Sequence, residues 1–272
     1  MRKVSESMAG RVAVFELWPL STKEEPKVSV SKGGFPEIIQ NPSTSQIWFR
    51  SYIQTYLERD VRQIASIKSL ATFRRFLSLM ASRTGQILNK TDLAAPLGLS
   101  VPTVTKWLNI LEITGQIMLV QPYFENFGKR IIKSPKIYFI DSGLVNYFLG
   151  IETEKMLLSS PFLGAVFESF VASEIIKNQI NNGKRKEIYY FRDEQGLEVD
   201  FLAPMGNGRL RLLEVKATHT PKPEMVKNLL RLLKNIKSST TELALVCWPQ
   251  KIKKNTTQAL SPSVKLINIE DL

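Results

Sequence analysis

The chain has 272 residues, with 37 Lys and Arg against 25 Asp and Glu, one Cys and one His. The single Cys247 excludes an internal disulfide and multi-cysteine zinc sites and fits the reducing cytoplasm, and the single His219 excludes a histidine-rich metal site. The formal net charge of +12 favours a polyanionic partner, and no apolar run reaches the roughly 18 residues of a membrane span, so no membrane association is expected.

Charge is unevenly distributed along the chain. Residues 61–136 carry 11 basic and 3 acidic side chains, whereas residues 137–220 carry 9 basic and 11 acidic ones. A basic block before an acidic block is expected where one module binds a polyanion and a second concentrates carboxylates around a metal. Two solvated surfaces of different charge would give the same pattern.

The first predicted elements are a strand and two helices. Residues 11–18 alternate in polarity as a strand does, and they end at Pro19. Helical spacing runs from about residue 44 to residue 60. A second helix is predicted over residues 70–82, with an apolar stripe on one side.

A helix-turn-helix unit follows. Thr91 is predicted to cap a short helix, Gly98 to allow a tight turn, and Ser100 to cap a longer helix. Strands are predicted over residues 117–124 and 130–140. Helix, turn, helix and hairpin is the order of a winged helix.

Polar and basic side chains of this unit are predicted to contact nucleic acid. The predicted groove contacts on its second helix are Thr103, Thr105, Lys106 and Asn109. The basic residues beside the hairpin that are predicted to meet phosphates are Lys129, Arg130, Lys133 and Lys136. Winged helices also serve as packing or dimerisation modules, so DNA contact is one of two interpretations.

The second half predicts an α-β-β-β-α-β order. A long amphipathic helix over residues 161–181 precedes the first three strands. The predicted strands and the second helix lie at residues 187–192, 197–204, 209–218, 223–236 (helix) and 242–248.

Strand parity predicts a cluster of charges. Glu198, Asp200 and Leu202 are expected on one face of their strand, and Glu214 and Lys216 on one face of the next. Buried carboxylates are costly unless they pair with each other or with a cation. Two carboxylates on adjacent strands can hold Mg²⁺ or Mn²⁺, with a backbone carbonyl and waters completing the shell. A lysine beside them can orient or deprotonate a water for attack on a phosphodiester.

The pattern Asp200 … Glu214-Val215-Lys216 on the second and third strands resembles the PD-(D/E)XK nuclease superfamily, with Val199 in place of the motif's proline. The resemblance implies a restriction-endonuclease-like α/β domain. It also implies metal binding by Asp200, Glu214 and the Val215 carbonyl, with Lys216 as a catalytic residue. Glu168, on the preceding long helix, stands where many members carry a further acidic catalytic residue.

A wider resemblance covers nearly the whole chain. The strings GRVAVFELWPLS, YLERDVRQI, KSPKIYFIDSGL, FESFVASEI and LLEVKA resemble a family of predicted prokaryotic AAA-type ATPases, whose C-terminal domain of unknown function combines a winged helix with a nuclease-like fold. It implies that residues 1–43 are the end of an ATPase module and a linker, residues 44–136 a helical winged-helix region, and residues 137–272 the nuclease-like domain.

No G-x-x-x-x-G-K-[ST] string exists in the chain, so no ATP binding or hydrolysis is expected. The chain therefore looks like a truncated member of that family. Either a separate chain that supplies the ATPase module or a second copy of this chain is the expected protein partner.

Three functions stay open. The first is a Mg²⁺- or Mn²⁺-dependent deoxyribonuclease, and the second is a DNA-binding module without catalysis. The third is a protein-interaction remnant that exposes apolar surface around Trp48, Tyr52 and Tyr56.

Overall fold

The computed structural model describes most of the chain. The described residues are 11, 16–56, 67, 69–123, 132–236, 241–248, 259–261 and 263–272. Within these ranges no helix combines the length and the apolar character that crossing a membrane requires.

Nine α-helices lie in the described ranges. They are α1 (Pro36–Gln40), α2 (Ser45–Tyr52), α3 (Leu70–Ala81), α4 (Lys90–Ala94), α5 (Val101–Ile113), α6 (Ser142–Phe148), α7 (Glu154–Leu158), α8 (Leu163–Asn181) and α9 (Lys227–Leu233).

Eight strands lie in the same part of the chain. They are β1 (Ile117–Pro122), β2 (Lys136–Phe139), β3 (Tyr189–Arg192), β4 (Glu198–Gly206), β5 (Arg209–Lys216), β6 (Thr241–Cys247), β7 (Ala259–Ser261) and β8 (Val264–Ile267).

All eight strands form one mixed sheet, in the order β2-β1-β3-β4-β5-β6-β8-β7. β1 is antiparallel to β2 and parallel to β3, β3 to β5 form an antiparallel meander, and β6 and β8 run parallel to β5. The chain is therefore of mixed α/β class. The predicted division between residues 136 and 137 falls inside β2, so the sheet continues across it.

Helices cover both faces of the sheet. On one face Phe167 and Phe170 of α8 share an apolar cluster with Leu213 of β5. On the other face Leu229 and Leu232 of α9 pack in a second cluster with β4 and β5. Burial of these side chains on both faces supplies the main favourable free energy of the fold.

The helical region before β1 contributes aromatic side chains to the same apolar cluster as α8. Trp107 of α5 lies 5.2 Å, between ring centroids, from both Phe73 and Phe76 of α3. Ser100 accepts the N–H of Thr103 and so caps α5, as predicted.

The cap of α4 differs from the prediction. Its N-cap residue is Asn89, whose side chain accepts the N–H groups of Thr91 and Asp92. The prediction that Thr91 caps this helix is wrong, because Asn89 is an equally good capping residue placed two positions earlier.

The segment before α1 is fixed on the core by Asp141, the N-cap of α6. Asp141 Oδ2 accepts the N–H of Gly34 at 2.7 Å, and Oδ1 accepts that of Leu144 at 3.0 Å. Gly33 has a φ of +75°, and a Cβ there would lie 2.2 Å from Asp141 Oδ1, so only glycine fits. Half of the strand predicted over residues 11–18 lies outside the described residues, and Glu16–Trp18 is not in a strand.

Candidate functional site

Three elements bring the predicted carboxylates together. Asp200 lies in β4 and Glu214 in β5, and both side chains are buried. Glu168 comes from α8, which contacts β2 and β5. Its side chain is 19% exposed, and its charge helps to raise the pKa of Glu214, so it belongs to the same cluster, which together with the neighbouring charged side chains is called the pocket.

Lys216 forms ion pairs with two of these carboxylates. Its Nζ atom lies 2.6 Å from Glu214 Oε1 and 3.8 Å from Asp200 Oδ2. The backbone N–H of Val215 donates to Asp200 Oδ2 at 2.8 Å. The other carboxylate oxygen, Glu214 Oε2, is buried and has no hydrogen-bond partner among the described residues. A buried carboxyl oxygen without a partner is costly, so a cation at this position would be stabilising.

A second lysine, Lys136, which the sequence predicts to lie on the surface beside the hairpin, lies beside Glu168. The Nζ atom of Lys136 is 3.1 Å from Glu168 Oε1 and 2.7 Å from Glu198 Oε1, and the Lys136 side chain is only 4% exposed. The Tyr138 hydroxyl also donates to Glu168 Oε1, and the Tyr190 ring lies 5.5 Å from the ammonium. The prediction that Lys136 meets phosphates is wrong, because burial against two carboxylates removes it from the surface.

The carboxylates of the pocket outnumber its ammonium groups. Burial, and then the neighbouring charge of Asp200, raise the pKa of Glu168 to about 7 and that of Glu214 to about 8. Burial of the Lys216 ammonium favours its neutral form, but Asp200 and Glu214 outweigh that effect and raise its pKa above the ordinary value. A divalent cation would relieve the excess of negative charge that holds protons on these carboxyls.

The carboxylates of Asp200 and Glu214 fit a hard divalent cation, but they supply only two side-chain ligands. Asp200 and Glu214 are oxygen donors of the kind that Mg²⁺ and Mn²⁺ prefer. No cluster of three or more His, Cys, Asp or Glu side chains with metal-binding geometry occurs in the described ranges. Asp200 and Glu214 would therefore hold the cation together with a backbone carbonyl, predicted to be that of Val215, and waters.

The face of β4 departs from simple alternation. Val199 and Leu202 both belong to the apolar cluster of α9, whereas Phe201 belongs to that of α8. The cause is a β-bulge, because β4 advances by three residues while β3 advances by two. Simple alternation would place Val199 and Phe201 on one face, but they lie on opposite faces, and the bulge between Val199 and Leu202 includes Asp200.

The loop between α3 and α4 lies against the same pocket. Gly85 donates its N–H to the Ile137 carbonyl at 2.8 Å, and Leu88 donates to that of Pro135 at 2.7 Å. A Cβ at Gly85 would lie 3.7 Å from Glu168 Oε2. The helical region before β1 therefore borders the carboxylates, a relationship that no motif in the sequence indicates.

The predicted nucleic-acid contacts are presented on α5 and near β2. Lys106 and Asn109 are exposed, and Thr103 and Thr105 are half-buried. Lys133 is exposed just before β2. The predicted contacts Lys129 and Arg130 lie outside the described residues.

Cys247 faces the pocket from the next strand. It is opposite Lys216 in the parallel pairing of β5 and β6. Burial raises the pKa of its thiol to about 11. Cys247 is therefore a protonated, buried side chain at neutral pH rather than a nucleophile.

Two family models match different parts of the chain. Residues 27–155 match Domain of unknown function (DUF8612), and residues 163–266 match Domain of unknown function (DUF4143). The latter domain is typical of AAA-ATPase-associated proteins.

Two mycobacterial proteins are similar to most of the chain. Uncharacterized protein Mb2031c of Mycobacterium bovis and Uncharacterized protein Rv2008c of Mycobacterium tuberculosis are each 34% identical to it over 223 residues. The match covers 80% of this chain and 49% of each relative, so the chain spans about half the length of the curated relatives it matches.

Proposed function

We propose that this chain binds DNA and hydrolyses its phosphodiester bonds with Mg²⁺ or Mn²⁺ held by Asp200 and Glu214. The observation that carries the proposal is the buried, unpartnered Oε2 atom of Glu214, which lies in a pocket with more carboxylates than ammonium groups. Such an arrangement is unfavourable in an isolated chain and becomes favourable when a divalent cation binds.

The proposed fold assignment has two parts. In the first, α4, α5 and the strands β1 and β2 form a winged-helix module. In the second, α8, β3, β4, β5, α9 and β6 form a PD-(D/E)XK nuclease-like core. The order of these elements and the positions of Asp200 and Glu214 on adjacent strands support this assignment.

Asp200, Glu214 and Lys216 each have a role in the proposed reaction. The bound cation would polarise the phosphodiester and lower the pKa of a water. Asp200 and Glu214 hold it, and the Val215 N–H fixes the Asp200 carboxylate in place. Lys216, whose side chain is 36% exposed, would orient the attacking water or the phosphate.

DNA binding would come from the basic surface of α5 and of the segment just before β2. Lys106 on α5 and Lys133 near β2 are exposed and would contact phosphates, while Thr103 and Asn109 would reach base edges. Because the net charge is +12, binding is expected to weaken steeply as salt rises.

One observation favours a second candidate, a DNA-binding protein without catalysis. Lys216 Nζ lies 2.6 Å from Glu214 Oε1, and this internal ion pair can stabilise the pocket without any metal. In such a protein the nuclease-like core would act as a scaffold only.

The deciding experiment is cleavage of single- and double-stranded DNA with Mg²⁺ or Mn²⁺. The wild type is compared with Lys216→Ala, with Asp200→Asn, and with Lys155→Ala, a control in which the substituted lysine is exposed on α7. Circular dichroism verifies that each variant is folded.

We expect cleavage by the wild type and the control, and its loss in the two pocket variants. A wild type that binds DNA but stays inert with both metals establishes the second candidate. A wild type that neither binds nor cleaves DNA overturns both.

A further inference from the structure

Besides Lys216, a second lysine contributes a positive charge to the pocket. Lys136 enters from β2, and its ammonium lies between the carboxylates of Glu168 and Glu198, at 3.1 and 2.7 Å. These distances are those of close ion pairs with hydrogen bonds. Glu168 and Glu198 are therefore already paired with a positive charge before any metal binds.

The surroundings of Lys136 hold this ammonium in place. The side chain is 4% exposed, and the Tyr190 ring lies 5.5 Å from Nζ, where an aromatic face attracts a cation. Its strand is hydrogen-bonded on both sides, to β1 and to the loop that contains Ile87. Moving the ammonium away would leave the Glu168 carboxylate without an ion-pair partner among the described residues, whereas Glu198 would keep the Arg192 guanidinium, which lies 3.2 Å away.

Asp200 and Glu214 form their close ion pairs with a different lysine, although the charge of Asp200 also helps to raise the pKa of Lys136. The only ammonium within ion-pair distance of them among the described residues is that of Lys216, whose side chain is 36% exposed and which lies 2.6 Å from Glu214 Oε1 and 3.8 Å from Asp200 Oδ2. Glu214 Oε2 keeps no partner in this part of the chain. Asp200 and Glu214 thus share a single ammonium, whereas Glu168 and Glu198 share that of Lys136 and Glu198 also pairs with the Arg192 guanidinium at 3.2 Å.

We propose that the Lys136 ammonium stands where a second divalent cation would otherwise bind, so that the site takes a single metal ion, through Asp200 and Glu214, and Glu168 is not a metal ligand. This inference rests on the proposed metal-dependent function. It makes Lys136 a positioning residue, which holds Glu168 and Glu198 away from the metal.

The test is the stoichiometry and affinity of Mn²⁺ binding, measured by calorimetry and by electron paramagnetic resonance on the full chain without DNA. Glu168→Gln and Glu214→Gln are compared with the wild type. Lys136→Ala is compared with the control Lys155→Ala, because both replace a lysine but only Lys136 is buried against carboxylates.

We expect about one Mn²⁺ per chain in the wild type and the control, and about two in Lys136→Ala, where freed carboxylates can bind a cation. Glu214→Gln should weaken Mn²⁺ binding by at least about tenfold, and Glu168→Gln by clearly less.

Each contrary result has a distinct meaning. About two Mn²⁺ per wild-type chain, or equal weakening by Glu168→Gln and Glu214→Gln, overturns the role of Lys136 while the metal site stands. No Mn²⁺ binding by the wild type overturns the proposed metal site itself. If Lys136→Ala does not fold, the wild-type stoichiometry and the two glutamine variants still decide the question.

Discussion

The carboxylate of Asp200 completes the hydrogen bonding of the neighbouring strand, since its Oδ2 atom accepts the backbone N–H of Val215 at 2.8 Å. The paired register of β4 and β5 runs from Gly206 to Phe201 and stops just before Asp200. Asp200 therefore has two roles. It replaces a carbonyl as the acceptor for Val215, and it places a negative charge beside Glu214.

The hydrogen bond to Val215 can be separated from the charge by two substitutions. Asp200→Asn keeps an acceptor oxygen, whereas Asp200→Ala leaves the buried N–H without a partner. We expect the free energy of unfolding of the Asn variant to exceed that of the Ala variant by about 1 kcal/mol. Urea denaturation without metal measures both. Equal stabilities would show that the side-chain hydrogen bond contributes nothing.

The stability of the metal-free protein should fall as pH rises through neutrality. Glu168 and Glu214 have pKa values of about 7 and about 8 in the folded chain, against an ordinary value of 4.5. Between these limits the folded state binds more protons than the unfolded state, so raising the pH favours unfolding.

Thermal unfolding in the presence of a chelator, from about pH 5 to about pH 8.5, checks this dependence. Glu214→Gln is the matched variant, because the glutamine side chain does not titrate in this pH range. The wild type should lose more stability over the range than this variant. A pH dependence equally steep in both proteins contradicts the shifted pKa of Glu214.

The close approach of Gly33 to Asp141 predicts a large effect of a single methyl group. Gly33→Ala combines a positive φ with a clash 2.2 Å from Asp141 Oδ1. The control Gly183→Ala has the same kind of backbone, with a φ of +65°, but nothing lies within 4 Å of its added methyl group.

We expect Gly33→Ala to lower the free energy of unfolding by about 3 kcal/mol and Gly183→Ala by about 1 kcal/mol. Chemical denaturation measures the difference. If both variants lose the same amount, the contact with Asp141 does not constrain Gly33.

The salt dependence of DNA binding tests the exposed face of α5. Lys106→Ala should weaken binding and reduce the slope of log K against log salt by about 1, because one phosphate contact is lost. Lys155→Ala removes an equally exposed lysine on α7 and should leave the slope unchanged. A slope that changes alike in both variants would mean that net charge, rather than α5, determines binding.

Much of the secondary structure follows from local pattern. The helix predicted over residues 161–181 is α8, and the strands predicted over residues 197–204 and 209–218 are β4 and β5. Alternation within β5 also predicts correctly that Glu214 and Lys216 contact each other. These features depend on neighbouring residues, which a sequence displays directly.

The remaining features depend on residues that are distant in sequence. The bulge in β4 is set by its pairing with β3, and it places Val199 and Leu202 on one face and Phe201 on the other. Lys136 looks like one more surface lysine in a basic stretch, because its carboxylate partners lie 32 and 62 positions further along the chain. No periodicity in the sequence records such a pairing.

The ion pair of Lys136 with Glu168 and Glu198 links the two regions that match separate families. The lysine lies in residues 27–155 and the glutamates in residues 163–266. An exchange of either region between relatives by recombination would separate the ammonium from the carboxylates it neutralises. We therefore expect the two regions to be inherited together, with substitutions at position 136 accompanied by changes at positions 168 and 198.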